Sequence, residues 1–168
     1  MQSGANIMAT PLSRPHAEVG ILGQRFADTL AKLPGIRRPR FLMLRRTCVC
    51  AREEDWIEPV RISADYNRRF ENLFRNVGTV ENGFPEPAAW EQIANPDDYS
   101  MERVRDGMVV GTPEQVVARL KEYAAIGVDQ FCYGASFALP HEVARRSLEL
   151  FITEVMPQFT SNQGEAKQ

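Results

Sequence analysis

Histidine is nearly absent from this chain, at two residues in 168, and cysteine contributes only three. Cys48 and Cys50 are one residue apart and Cys132 stands alone, so there is neither a Cys-x-x-Cys pair nor a zinc ligand set. Such thiols suit a reducing compartment and are expected to be buried and unreactive, as unpaired cysteine usually is. An excess of one charge sign is also missing. Twenty Lys and Arg against 22 Asp and Glu leave a net charge of −2, which gives no electrostatic case for nucleic acid or an anionic membrane. No apolar run approaches the ~20 residues that span a bilayer, and the first residues show no charged flank followed by an apolar core. Glycine-rich phosphate loops of the Rossmann or P-loop kind, internal repeats and low-complexity segments are lacking. These absences point to a cytoplasmic chain with no resident metal and no nucleic-acid or membrane partner.

What is present is an ordinary globular composition, 43% apolar and 25% charged, in one domain's length. Residues 1–14 are small, polar and without period, and are expected to form a disordered lead-in. Ala17 to Leu33 places Val19, Leu22, Phe26, Leu30 and Leu33 on one helical face and stops at Pro34-Gly35. Phe41 to Ala51 reads as a strand, in which Arg45 and Arg46 point to opposite faces. Glu53, Glu54 and Asp55 suit the positive end of a helix dipole. They predict a helix to about Val77, interrupted early by Pro59, with Trp56, Val60, Ser63, Ala64, Asn67, Phe70 and Phe74 inward. Arg68, Arg69 and Arg75 read as its solvated face. Gly78 to Pro96 is irregular, with turn signals at Asn82-Gly83 and Asn95-Pro96, and Met101 to Asp106 predicts a short helix.

The last third is the most structured. Thr112 is a good N-cap, Pro113 suits the first helical position, and Gln115 completes a capping box. Val116, Val117, Leu120, Tyr123 and Ala124 follow as one stripe, Gly127 fits the residue that ends the helix, and Val128 to Tyr133 reads as a strand. Pro140 starts a further helix with Val143, Ala144, Ser147, Leu148, Phe151 and Val155 on one face, which Pro157 is expected to stop. The tail from 160 to 168 is polar and is expected to be disordered.

Taken together, Gly111-Thr112-Pro113-Glu114, Gly127-Val128-Asp129, Pro140-His141-Glu142 and Glu154-Val155-Met156-Pro157 resemble the C-terminal end of the bacterial luciferase-like family of flavin-dependent monooxygenases. The resemblance runs from about Ala17 to Phe159 and is strongest after Val110. It implies a (β/α)8 barrel, which typically needs about 250 residues. The expected fold is therefore α/β: a C-terminal fragment of a TIM barrel over residues 15–159, with about two strands and their flanking helices.

The resemblance also implies a chemistry. Family members use reduced FMN, or a related deazaflavin in one branch, with dioxygen and a small organic substrate, at the C-terminal mouth of the barrel. On this chain that rim corresponds to Ala51 to Glu54 and Gly134 to His141. The family's phosphate-binding residues and catalytic histidine lie in earlier strands, so no catalytic or cofactor-binding residue carries over. Tyr133, Ser136 and His141 are the candidate pocket-lining residues. For each a structural role is an alternative: packing for Tyr133, a loop hydroxyl for Ser136, a solvated helix start for His141. Two other readings stand beside a monooxygenase piece. One is a non-catalytic α/β module that forms a homo-oligomer or docks on a complementary half-barrel; the other is an unrelated small α/β enzyme.

Overall fold

Phe41–Val49 (β2) is the longest strand, and every other strand of the main sheet is hydrogen-bonded to it. In the computed structural model, which describes residues 5–135 and 137–160, all three of these pairings are parallel. Ile7–Ala9 (β1) lies beside Phe41 to Met43, Gln130–Gly134 (β6) beside Leu42 to Arg46, and Val109–Gly111 (β5) beside Thr47 to Val49. Parallel neighbours need long crossovers. Ala17–Ala31 (α1) supplies the one from β1 to β2. Between β2 and β6 the chain carries Ile57–Arg75 (α2), Met101–Asp106 (α3) and Pro113–Ala125 (α4), with a small hairpin of Val80–Glu81 (β3) and Phe84–Pro85 (β4). His141–Leu150 (α5) follows β6. The result is an α/β fold on a parallel sheet.

The two faces of β2 meet different partners. Phe41, Met43 and Val49 pack with Val19 and Phe26 of α1, Val116, Leu120 and Tyr123 of α4, and Leu150 of α5. The opposite face is covered only near its end, where Cys48 joins Val60, Ala64, Val104, Met108 and Phe137. Toward its start that face is open: Met8 is 57% exposed, Gln130 is exposed, and Leu42, Leu44 and Cys132 are half-buried.

Several expectations need correction. The segment 1–14, expected to be disordered, contains β1, and its Leu12 and Arg14 carbonyls accept hydrogen bonds from the buried Arg45 guanidinium at 3.5 and 2.9 Å. A three-residue strand is too short to show a period, so the lead-in carried no signal. With β1 and β5 the sheet has four strands instead of about two. Phe74 is 75% exposed rather than inward. The end of α2 is instead fixed by Asn72, which donates to the carbonyls of Thr79 and Glu86 and accepts from the Gly78 amide. Arg68 and Arg69 are not simply solvated: they donate to the carbonyls of Ala88 and Pro85 and hold the hairpin region down. Pro59 does not interrupt α2, because it falls in the first turn, where its missing N–H has no intrahelical partner to lose. Pro157 likewise opens a final turn, Pro157–Thr160 (α6), after a π-helical stretch at Phe151–Val155. Residues 161–168 of the tail lie outside the described residues.

Candidate functional site

Two hollows flank the C-terminal half of β2. The larger is an open groove of about 540 Å³ between the end of β2, the start of α2 and the outer side of α5. Cys48, Cys50 and Ser147 form part of its floor, Ile57, Ile62, Leu139 and Val143 its apolar walls. Its rim is acidic, with Glu54, Asp55, Glu58 and Glu142 set against Arg146. Ala51, Glu54 and Leu139 belong to the rim segments expected from sequence.

Ser147 organises the floor. Buried on α5, its hydroxyl oxygen accepts from the Val49 amide at 2.6 Å, and the hydroxyl is hydrogen-bonded to that of Tyr133 at 2.6 Å, where either oxygen can donate. These two bonds tie α5 to both β2 and β6. Tyr133 also meets Phe151 edge-on, with ring centroids 5.0 Å apart. Burial pushes its phenol up to about 12, although the Ser147 bond opposes the shift. A hydrogen bond from Cys50 holds the Cys48 thiol below its ordinary range, against burial and with help from Ser147; the same bond, together with burial, pushes Cys50 up. Among the described residues no group of three or more His, Cys, Asp or Glu is arranged to hold a metal ion.

The smaller hollow, about 310 Å³, lies on the open face of the sheet, lined by Leu12, Leu44, Arg46, Tyr66, Phe70 and Gly134 among others. Arg45 and Arg46 do lie on opposite sides of β2. Arg45 is buried against backbone carbonyls, including Asp106 at 3.3 Å. The Arg46 guanidinium sits 4.9 Å from the Tyr66 ring centroid and donates from Nη1 to Ser63 Oγ at 2.9 Å and to Asn67 Oδ1 at 2.5 Å. Burial lowers the pKa of both arginines.

The sequence-derived candidates do not converge. Tyr133 lines the smaller hollow and anchors Ser147. His141 opens α5 with its side chain 87% exposed and its Nδ1 3.6 Å from Glu142, lining neither hollow. Ser136 lies outside the described residues. Sequence reasoning passed over Ser147, which it placed on an apolar stripe, and read Arg46 only as facing the side opposite Arg45; a small hydroxyl amid apolar neighbours was the available signal. His16, which the sequence analysis did not single out, is part-buried, stacked 5.1 Å from Tyr123 and 3.0 Å from Glu122.

Comparisons with known proteins agree with this picture at the level of fold and relatives. No family model matches the chain. The chain is 32% identical, over 166 residues, to the oxygenase component of a flavin-dependent trigonelline monooxygenase of Acinetobacter baylyi; the match covers 96% of this chain and 45% of that protein. Its structure is similar to the crystal structure of the monooxygenase RslO1 from Streptomyces bottropensis, with a TM-score of 0.56 and 17% identity, over 94% of this chain and 43% of the other. The chain thus spans a little under half the length of the curated relative it matches, and its fold is similar to part of that solved structure.

Proposed function

We propose that the chain is the C-terminal part of a luciferase-like flavin-dependent monooxygenase, a segment of a (β/α)8 barrel that acts with dioxygen on a small organic substrate. The observation that carries this reading is the agreement of two matches. A sequence relative and a structural neighbour, both monooxygenases, each align over nearly the whole of this chain and under half of their own. The parallel order β1, β2, β6 with helical crossovers is the repeating unit of such a barrel.

The described residues fit a flavin only in part. The larger groove has apolar walls suited to a ring system, but its rim sets four carboxylates against Arg146, which repels a phosphate dianion. This groove therefore offers no phosphate site, and no catalytic step is assigned to its side chains. FMN is favoured over a deazaflavin by the resemblance alone. The relative is named an oxygenase component, and on this reading the present chain also works with others: a complementary half-barrel that covers the open face of β2, and a further component that supplies reduced flavin. The cytoplasm is the expected setting; no helix among the described residues is long and apolar enough to cross a membrane.

The test is a fluorescence titration of oxidised and reduced FMN against the chain alone. It is repeated after co-expression with a polypeptide covering the unmatched part of the Acinetobacter relative. Saturable binding by the pair, weaker or absent for the chain alone, is expected. A stable complex without flavin affinity would favour the non-catalytic docking module.

A further inference from the structure

The smaller hollow combines features that a purely structural cavity has no need for. None of the ten residues that line it is acidic and two are arginines. Arg45 has its two Nη groups engaged by the carbonyls of Leu12, Arg14 and Asp106, and its Nε is buried without a partner among the described residues. Arg46 is different. It is drawn into a partly desolvated position, over the Tyr66 ring at 4.9 Å and 6.0 Å from the centre of Phe70, with only the neutral Ser63 and Asn67 as hydrogen-bond acceptors among the described residues. Both bonds leave from Nη1. The Nε and Nη2 side of the fork has no acceptor among the described residues, and neither does the guanidinium have a carboxylate partner. A desolvated cation without a counter-charge is costly, and proteins normally pair it.

Geometry narrows the missing partner. The Nε–Nη2 edge presents two parallel N–H groups at the spacing of a carboxylate's two oxygens. Ser63 and Asn67 fix the far side of the guanidinium, so the fork is held in one orientation before any ligand arrives, which lowers the entropy cost of binding. Beyond it the walls are apolar and flat-sided, with Leu12, Leu44 and Phe70. A volume near 310 Å³ is at the lower end of the ~300–1,000 Å³ typical of ligand pockets, so it suits a single-ring molecule better than a flavin mononucleotide. The larger groove, with its acidic rim, has the opposite preference.

We infer that this hollow is a binding site for a small carboxylate with a flat apolar body, and that Arg46 is the residue that receives the carboxylate through its Nε–Nη2 edge. The assignment goes beyond the flavin reading and stands apart from it, since the site requires no flavin. If the monooxygenase reading also holds, this is where an acidic organic substrate is anchored, on the open sheet face that a complementary half-barrel would enclose.

Benzoate is the probe, titrated calorimetrically into the full chain without flavin, with benzamide and inorganic phosphate in parallel. Benzoate is expected to bind at millimolar concentration or tighter, benzamide and phosphate at least several-fold more weakly. Arg46→Gln is expected to weaken benzoate by about 10- to 100-fold, the range for loss of a charged hydrogen-bond pair. Arg46→Lys keeps the charge, loses the fork and falls between. Because these changes also disturb the Ser63 and Asn67 bonds, Leu44→Trp serves as the second variant: it fills the hollow without altering the arginine and is expected to abolish binding with an unchanged circular dichroism spectrum. The assignment is overturned if the wild-type chain fails to bind benzoate, if benzamide or phosphate binds as well, or if folded Arg46→Gln or Leu44→Trp retains wild-type affinity. A failure of FMN binding leaves these outcomes untouched.

Discussion

Ser147 shows how much one small hydroxyl can hold. It joins a β2 amide, a β6 phenol and α5 through two 2.6 Å hydrogen bonds at a fully buried point. Ser147→Ala strands the Val49 amide and the Tyr133 hydroxyl, and a buried polar group without a partner costs about 1–3 kcal/mol. A lowered urea midpoint with an unchanged slope is the expected result; an unchanged midpoint would mean that water replaces the serine. Tyr133 gives a second check at this scale. Its phenol is raised to about 12 in the fold, against about 10 for an unfolded tyrosine. A group raised in this way stabilises fully below its unfolded value and loses that contribution as pH climbs through the folded one. Alkaline destabilisation is therefore expected between pH 10 and 12, and Tyr133→Phe removes this part of it; a denaturant series across that window tests the sign. Little of this was legible beforehand. Tyr133 was singled out as a strand-end aromatic, whereas Ser147 reads as one more position on an apolar stripe until α5 is seen against the end of β2.

Among the elements, α4 was the most readable. Thr112 and Gln115 form the reciprocal cap that their spacing predicts: the Thr112 amide donates to Gln115 Oε1 at 3.1 Å, and the Gln115 amide to Thr112 Oγ1 at 3.5 Å. Thr112→Ala is expected to cost about 1 kcal/mol, seen as a few degrees in Tm. Gly127 ends the region at a φ of 95°, with open space where a side chain would stand. Gly127→Ala is therefore a clean test of backbone strain, expected at about 1–2 kcal/mol with no steric contribution. Asn82-Gly83 also kept its promise: both residues have positive φ and close the β3–β4 hairpin. What could not be read were the elements that exist only by pairing. Ile7–Ala9 and Val109–Gly111 are three residues each and are strands only because β2 lies beside them. The exposure of Phe74 is of the same kind, since it depends on where the hairpin folds back over α2.

For the whole molecule, the outward edges of β1 and β6 and the apolar start of the open face are the features that matter most. Exposed edges and apolar patches of this sort tend to be covered. Sedimentation of the isolated chain is expected to show concentration-dependent association, suppressed when a complementary half-barrel is co-expressed. A strictly monomeric chain at high concentration would count against that partner. The α/β class was legible from the helix–strand–helix pattern between Gly111 and Pro157. The strand count was not, because it is a property of contacts and not of any local pattern.

The way the sheet is wired has a consequence for how the molecule opens. Among the described residues each of β1, β5 and β6 is bonded to β2 and to no other strand of that sheet, so β2 is a hub with three spokes. Losing any one spoke leaves the others paired, whereas losing the hub leaves nothing to pair with. Amide hydrogen exchange should therefore show graded protection: the short β1 and β5 exchange early and independently, and the core amides of Leu42 to Val49 exchange last, at the rate of global unfolding.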